Sequence, residues 1–122
     1  MSDLIRVVVA DDERDVRDLL ALQLDRRGFD VVGLAADGAE AISMCAELEP
    51  DAVVVDLLMP NTSGFEAIPV LRRAHPKLAI VAYTAVAGDF VRNEMARMHI
   101  PLLLKSGDAD PLAAKIRELT GD

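Results

Sequence analysis

Asp11, Asp12 and Glu13 follow the apolar run LIRVVVA, Asp56 ends the run AVVV, Thr84 follows LAIVAY and Lys105 follows LLL. Each chemically capable side chain stands where a short apolar segment stops. Two carboxylates about 4 Å apart repel by roughly 4 kcal/mol at an effective dielectric of 20. A convergence of Asp11, Asp12 and Asp56 therefore calls for protonation or for a cation. A hard divalent ion fits, and Mg²⁺ typically takes one or two carboxylates, waters and phosphate oxygens. An ammonium and a hydroxyl beside such an ion would bind an anion. Together the set describes a phosphoryl group attached to, or passing through, Asp56. Taken singly, the residues have plainer readings. An acidic pair before a helix caps it and favours its dipole, a Thr at a strand end is structural, and a Lys after a strand is solvated. Asp56 resists that reading, because Leu57, Leu58 and Met59 follow it and a carboxylate in that setting needs a partner.

Convergence requires that the apolar runs lie side by side. Leu4 to Ala10, Val31 to Ala35, Ala52 to Val55, Leu78 to Tyr83 and Leu102 to Leu104 are short and mostly unbroken, as suits strands buried on both faces. Between them the periodicity is helical. Val16, Leu19, Leu20 and Leu24 form one stripe within Asp15 to Arg27, with Gly28 as the stop. Asp37-Gly38 opens a second helix with Ala41, Ile42, Cys45 and Leu48 inward, closed by Pro50. The spacing predicts further helices over Gly64 to Ala74, Gly88 to Met98 and Pro111 to Leu119, the last with Leu112, Ile116 and Leu119 inward. Pro69 should kink the third or mark a late start. Five strands alternating with five helices mean an α/β fold with a doubly wound parallel sheet. Strand order 2-1-3-4-5 is favoured, with the site at the carboxyl ends of strands 1 and 3, where the winding reverses.

Composition narrows the function. The 122 residues suit one domain, and the net charge of −8 argues against nucleic-acid or anionic-membrane surfaces. With 52% apolar and 3% aromatic residues, the core must be aliphatic. A lone Cys45, on the inward stripe of its helix, excludes an internal disulfide framework and points to a reducing compartment. No apolar run could span a bilayer, and Asp3 and Arg6 interrupt any signal-peptide pattern. A cytoplasmic domain is expected. His75 and His99 have no metal spacing and should lie at helix ends, and no Gly-rich phosphate loop is present. Leu22 and Phe90 point away from their helices' inward stripes, as candidate partner contacts.

The blocks VVVADDE, VVVDLLMPNTSG, VAYTA and LLLKS resemble the signature blocks of the response-regulator receiver domain of two-component signalling, from about Leu4 to Leu119. The resemblance implies one receiver domain over residues 1–122 with a flavodoxin-like (βα)5 fold. It implies that Asp56 is the phosphoacceptor, that Asp11, Asp12, Asp56 and the backbone carbonyl of Leu58 hold Mg²⁺, and that Thr84 and Lys105 bind the phosphoryl oxygens. It also implies a sensor histidine kinase or phosphotransfer protein as donor. The output surface would be the fourth helix, fifth strand and fifth helix, open to a homodimer or an effector. In such a domain Leu58 and Val86 border the approach of hydrolytic water, and both are apolar, so a long-lived phosphoryl group is expected.

The departures bear on output. Ser106 stands where a Pro often follows the Lys, as in receivers joined to helix-turn-helix domains, and Leu102 replaces the usual aromatic switch residue. Ile100-Pro101 replaces small residues, and Ser63 stands where an acidic residue is frequent. A rival reading is a small Mg²⁺-dependent phosphatase or phosphotransferase with an aspartyl-phosphate intermediate. It lacks an acid-base carboxylate two residues after Asp56 and a cap domain. A phosphate-independent pseudo-receiver is a third reading, which the intact set of five residues opposes.

Overall fold

A computed structural model describes residues 4–85 and 87–121. The elements alternate as β1 (Arg6–Ala10), α1 (Arg14–Arg26), β2 (Asp30–Ala35), α2 (Gly38–Leu48), β3 (Ala52–Val55), α3 (Gly64–Ala74), β4 (Ala79–Thr84), α4 (Asp89–Arg97), β5 (Leu102–Leu104) and α5 (Asp110–Thr120). All neighbouring strands are parallel, in the order β2-β1-β3-β4-β5. The expected fold and order are therefore present.

Period-2 alternation divides the core into two layers. Val8, Ala10, Val53, Val55, Ile80 and Ala82 face the side covered by α2, α3 and α4, where Cys45, Ile68, Leu71 and Met95 are buried. Val7, Val9, Val54, Val81 and Tyr83 face α1 and α5, against Leu20, Leu24, Phe29, Leu112 and Ile116. The central strands read as unbroken apolar runs because both faces are covered. The edge strands depart from the expectation of full burial: β2 is mostly half-buried and β5 ends on the exposed Leu104. Each has a sheet neighbour on one side only.

Two helix stripes are narrower than expected. Leu19 is 53% exposed and Leu119 41% exposed, whereas Leu20, Leu24, Leu112 and Ile116 are buried. A short helix against a twisted sheet buries little more than a two-residue-wide stripe, and both leucines fall at its margin. Leu22 and Phe90 are exposed as expected, although the Phe90 ring lies 6.2 Å from that of Phe65.

Pro69 does not delay the third helix, which runs unbroken from Gly64. Ser63 accepts from the Glu66 N–H and the Glu66 side chain reaches back to the Ser63 N–H, a capping box that starts the helix early. Pro69 is exposed, so the helix bond it cannot donate is lost on the side where water can replace it. His75 caps the end of α3, and His99 follows α4 with a left-handed φ of 57°. The α2 helix starts on Asp37, whose side chain accepts from the Glu40 N–H, and ends on left-handed Glu49 just before Pro50.

Candidate functional site

The carboxyl edge of the sheet is drawn together by hydrogen bonds that continue the ladders past the last strand residues. The Asp11 N–H donates to the Ala35 carbonyl and the Asp56 N–H to the Ala10 carbonyl, both at 3.0 Å. The Lys105 N–H donates to the Thr84 carbonyl at 2.9 Å. Residues as far as 94 apart in the chain thus reach one edge because parallel register leaves them no other place. Asp11 and Asp12 leave the end of β1, Asp56 the end of β3, Thr84 closes β4 and Lys105 follows β5.

Asp11, Asp56 and Thr84 are the buried polar residues among those described, while Asp12 is exposed. The carboxylates of Asp11, Asp12 and Asp56 each offer an oxygen within 4.8 Å of the others. Lys105 bridges two of them, its Nζ lying 2.5 Å from Asp11 Oδ2 and 2.9 Å from Asp56 Oδ2. Burial works against the Lys105 charge, but hydrogen bonds to Asp11 and Asp56 and their negative charges outweigh it, holding its pKa above the ordinary lysine value. The remaining oxygens are also engaged. Asp11 Oδ1 accepts from the Glu13 N–H at 2.9 Å, and Asp56 Oδ1 from the Leu58 N–H at 3.2 Å. Glu13, the third acidic residue of the run, is the N-cap residue of α1 and makes no side-chain cap bond there.

Three carboxyl groups facing one ammonium leave the cluster short of positive charge. Its donors are hard oxygens gathered on one edge, with Asp12 open to solvent, so the residues fit a hard divalent cation. Leu58 is 55% exposed, and Val86, expected beside it, lies outside the described residues.

Two contributors are not among the residues first singled out. Arg17 Nη1 donates to the Asp11 carbonyl at 2.8 Å. Gly64 lets the start of α3 press on the acceptor strand, since a Cβ there would stand 2.3 Å from the Asp56 carbonyl oxygen and 2.8 Å from the Leu57 Cα. Its position just inside a predicted helix start was the available signal, and the close approach was invisible. For Arg17 nothing local pointed to the bond. Cys45 is fully buried, and burial pushes its thiol up to about 11, in keeping with a core role.

The description "Response regulator receiver domain" belongs to the family model that matches residues 7–117. The response regulator GacA of Pseudomonas viridiflava is 41% identical over 87 residues, which cover 70% of this chain and 41% of that protein. The response regulator MprA of Mycobacterium sp. (strain KMS) is 42% identical over 81 residues, covering 66% of this chain and 35% of that protein. The chain thus spans well under half the length of these curated relatives. Among solved structures, the response regulator domain of Thermotoga maritima CheB superposes with a TM-score of 0.88 at 28% identity, covering 98% of both chains. The response regulator TrrA of the same organism, in complex with Mg(2+)-BeF, gives 0.86 at 28% identity, covering 95% of this chain and 99% of that one. Sheet order, the cluster at its switch point and these similarities agree: the chain belongs to the response-regulator receiver domain family.

Proposed function

We propose that residues 1–122 form one cytoplasmic receiver that takes a phosphoryl group from the phosphohistidine of a sensor histidine kinase or phosphotransfer protein onto Asp56. The observation that carries this is Lys105, held between Asp11 and Asp56 with Asp12 in the same cluster. An Asp56 carboxylate oxygen attacks phosphorus, the phosphorus–nitrogen bond breaks, and the histidine nitrogen leaves with the bonding pair. Lys105 already lies within hydrogen-bond reach of Asp56 Oδ2, so its ammonium can follow the phosphoryl oxygens as charge arrives there. Thr84, buried at the end of the adjacent strand, supplies a hydroxyl at the same edge. Asp11, Asp12, Asp56 and the Leu58 carbonyl would hold Mg²⁺, which supplies positive charge for the carboxylates and phosphoryl oxygens when bound.

The phosphorylated state is read out by a shift of Thr84 and of the α4, β5 and α5 surface, toward a second copy or an effector. Two-component response regulators of the LuxR family share the fold, one of them from Aurantimonas sp. at 30% identity with a TM-score of 0.87. The phosphatase reading finds no support at Leu58, which is apolar where an acid-base group would be needed. Among the described residues no helix is long and apolar enough to cross a membrane. The test is intact mass after incubation with Mg²⁺ and acetyl phosphate. One phosphoryl adduct is expected, absent without Mg²⁺ and absent in Asp56→Asn. A stable adduct of equal yield in Asp56→Asn would overturn the assignment.

A further inference from the structure

We propose that Arg17, in the first turns of α1, is a positioning residue for the metal site, setting the direction in which Asp12 presents its carboxylate. The inference rests on the reading of Asp11, Asp12 and Asp56 as cation ligands. Asp11 has every polar group engaged. Its N–H bonds the Ala35 carbonyl, Oδ1 accepts from the Glu13 N–H, Oδ2 meets Lys105 Nζ, and its carbonyl accepts from Arg17 Nη1 at 2.8 Å. The first three fix the Asp11 backbone and side chain to the sheet and to the site. The fourth fixes something different. A peptide unit is planar, so holding the Asp11 oxygen fixes the plane shared with Asp12 and hence where the Asp12 Cα and side chain lie.

Asp12 needs that help. Its side chain is exposed and makes no hydrogen bond or ion pair among the described residues, so nothing but its backbone aims it. Arg17 shows a matching sign of service at its own expense. Its Nε is buried with no hydrogen-bond partner, although a guanidinium has five donors and ordinarily places them all. Unpaired buried donors are rare in native structures, and each calls for a reason. Here the planar fork is oriented for the Asp11 carbonyl, and Nε is left without an acceptor.

The alternative role for Arg17, as a fixed positive charge beside the acidic cluster, makes the opposite forecast. Removing a positive charge near a cation site strengthens cation binding, whereas releasing the peptide plane weakens it. The sign of the change therefore separates the two. Mg²⁺ titration by calorimetry, on the full chain without phosphodonor, reads it directly. Arg17→Ala is expected to weaken Mg²⁺ affinity about tenfold, the lower end for removing a group that bonds to a metal's ligands. Arg17→Lys keeps the charge and a single donor nitrogen but not the fork, and is expected to recover part of the loss. Arg14→Ala removes an exposed charge of the same helix that pairs with Asp18, and should leave affinity unchanged or slightly tighter.

Amide exchange of the β1, β3 and β4 cores shows whether each variant is folded. Should Arg17→Ala fail to fold, Arg17→Lys decides, because with the charge retained only lost geometry can weaken binding. Affinity equal to or tighter than that of the parent in the folded Arg17 variants overturns the proposal and leaves the phosphoacceptor reading intact. A parent chain that takes up no Mg²⁺ overturns the cation reading and this inference with it.

Discussion

Replacing Lys105 with Met removes the ammonium while keeping most of its apolar stem. In the parent, the Lys105 side chain is 18% exposed and its ammonium bonds to both Asp11 and Asp56, so it is no ordinary surface ion pair. Without it, three carboxylates with oxygens within 4.8 Å of one another face each other unopposed. Two unit charges at that separation repel by about 3.5 kcal/mol at an effective dielectric of 20. Removing one partner of a buried pair costs about 3–5 kcal/mol in measured cases, the same range. Lys105→Met should therefore lose about 3–4 kcal/mol in metal-free buffer at neutral pH, out of the 5–15 kcal/mol typical of a domain. The melting temperature should fall by roughly 10–15 °C. Mg²⁺ binds the folded state and offsets the same charge, so adding it should recover much of the deficit.

Chemical denaturation with a chelator and with Mg²⁺ measures both quantities. The pH dependence has a definite sign. The Lys105 pKa is raised above its ordinary 10.5, so its contribution is fully present below that value and is lost as pH rises through the raised one. The gap between parent and variant should accordingly persist through neutral pH and, on the alkaline side, close only as pH rises through the raised value. A variant within about 1 kcal/mol of the parent in chelator at neutral pH would refute the electrostatic reasoning.

Gly64→Ala should destabilise the domain by about 1–3 kcal/mol, because its new Cβ meets the backbone of Asp56 and Leu57, which cannot rotate away as a side chain could. Equilibrium denaturation checks this, and a neutral result would mean that α3 is free to shift. Cys45 should resist alkylation at mildly alkaline pH until the whole domain unfolds, since its thiol is buried and pushed up to about 11; rapid labelling of native protein would contradict that burial. Leu58→Asn should speed loss of the phosphoryl group roughly tenfold, by offering attacking water a hydrogen bond that Leu58 cannot. Unchanged decay under matched Mg²⁺ would remove Leu58 from control of the lifetime.

Much of this protein was legible in one dimension. Within β1, β3 and β4 the stretches VVVA, AVVV and AIVAY are apolar throughout because strands covered on both faces leave no solvent side to mark, and that texture alone implies a parallel sheet with helices on either side. Once strands are assigned, Asp11, Asp12, Asp56, Thr84 and Lys105 fall at their carboxyl ends, since parallel strands bring all those ends to one edge. The signature blocks then tied the residues to a family. Interior burial, by contrast, was decided by packing. Leu19 and Leu20 are chemically identical neighbours, and only the fit of α1 on the twisted sheet determines that the second is covered. Pro69 misled because a local rule weighed its missing N–H without knowing that the lost bond faces water. Gly64 and Arg17 were silent for a related reason. A glycine declares its absent side chain but not which backbone will occupy the space. An arginine can extend to carbonyls on many sides, so its bond to Asp11 exists only once helix and strand have been placed together. Contacts of this kind depend on distances between separate elements, and those are set by the folded core.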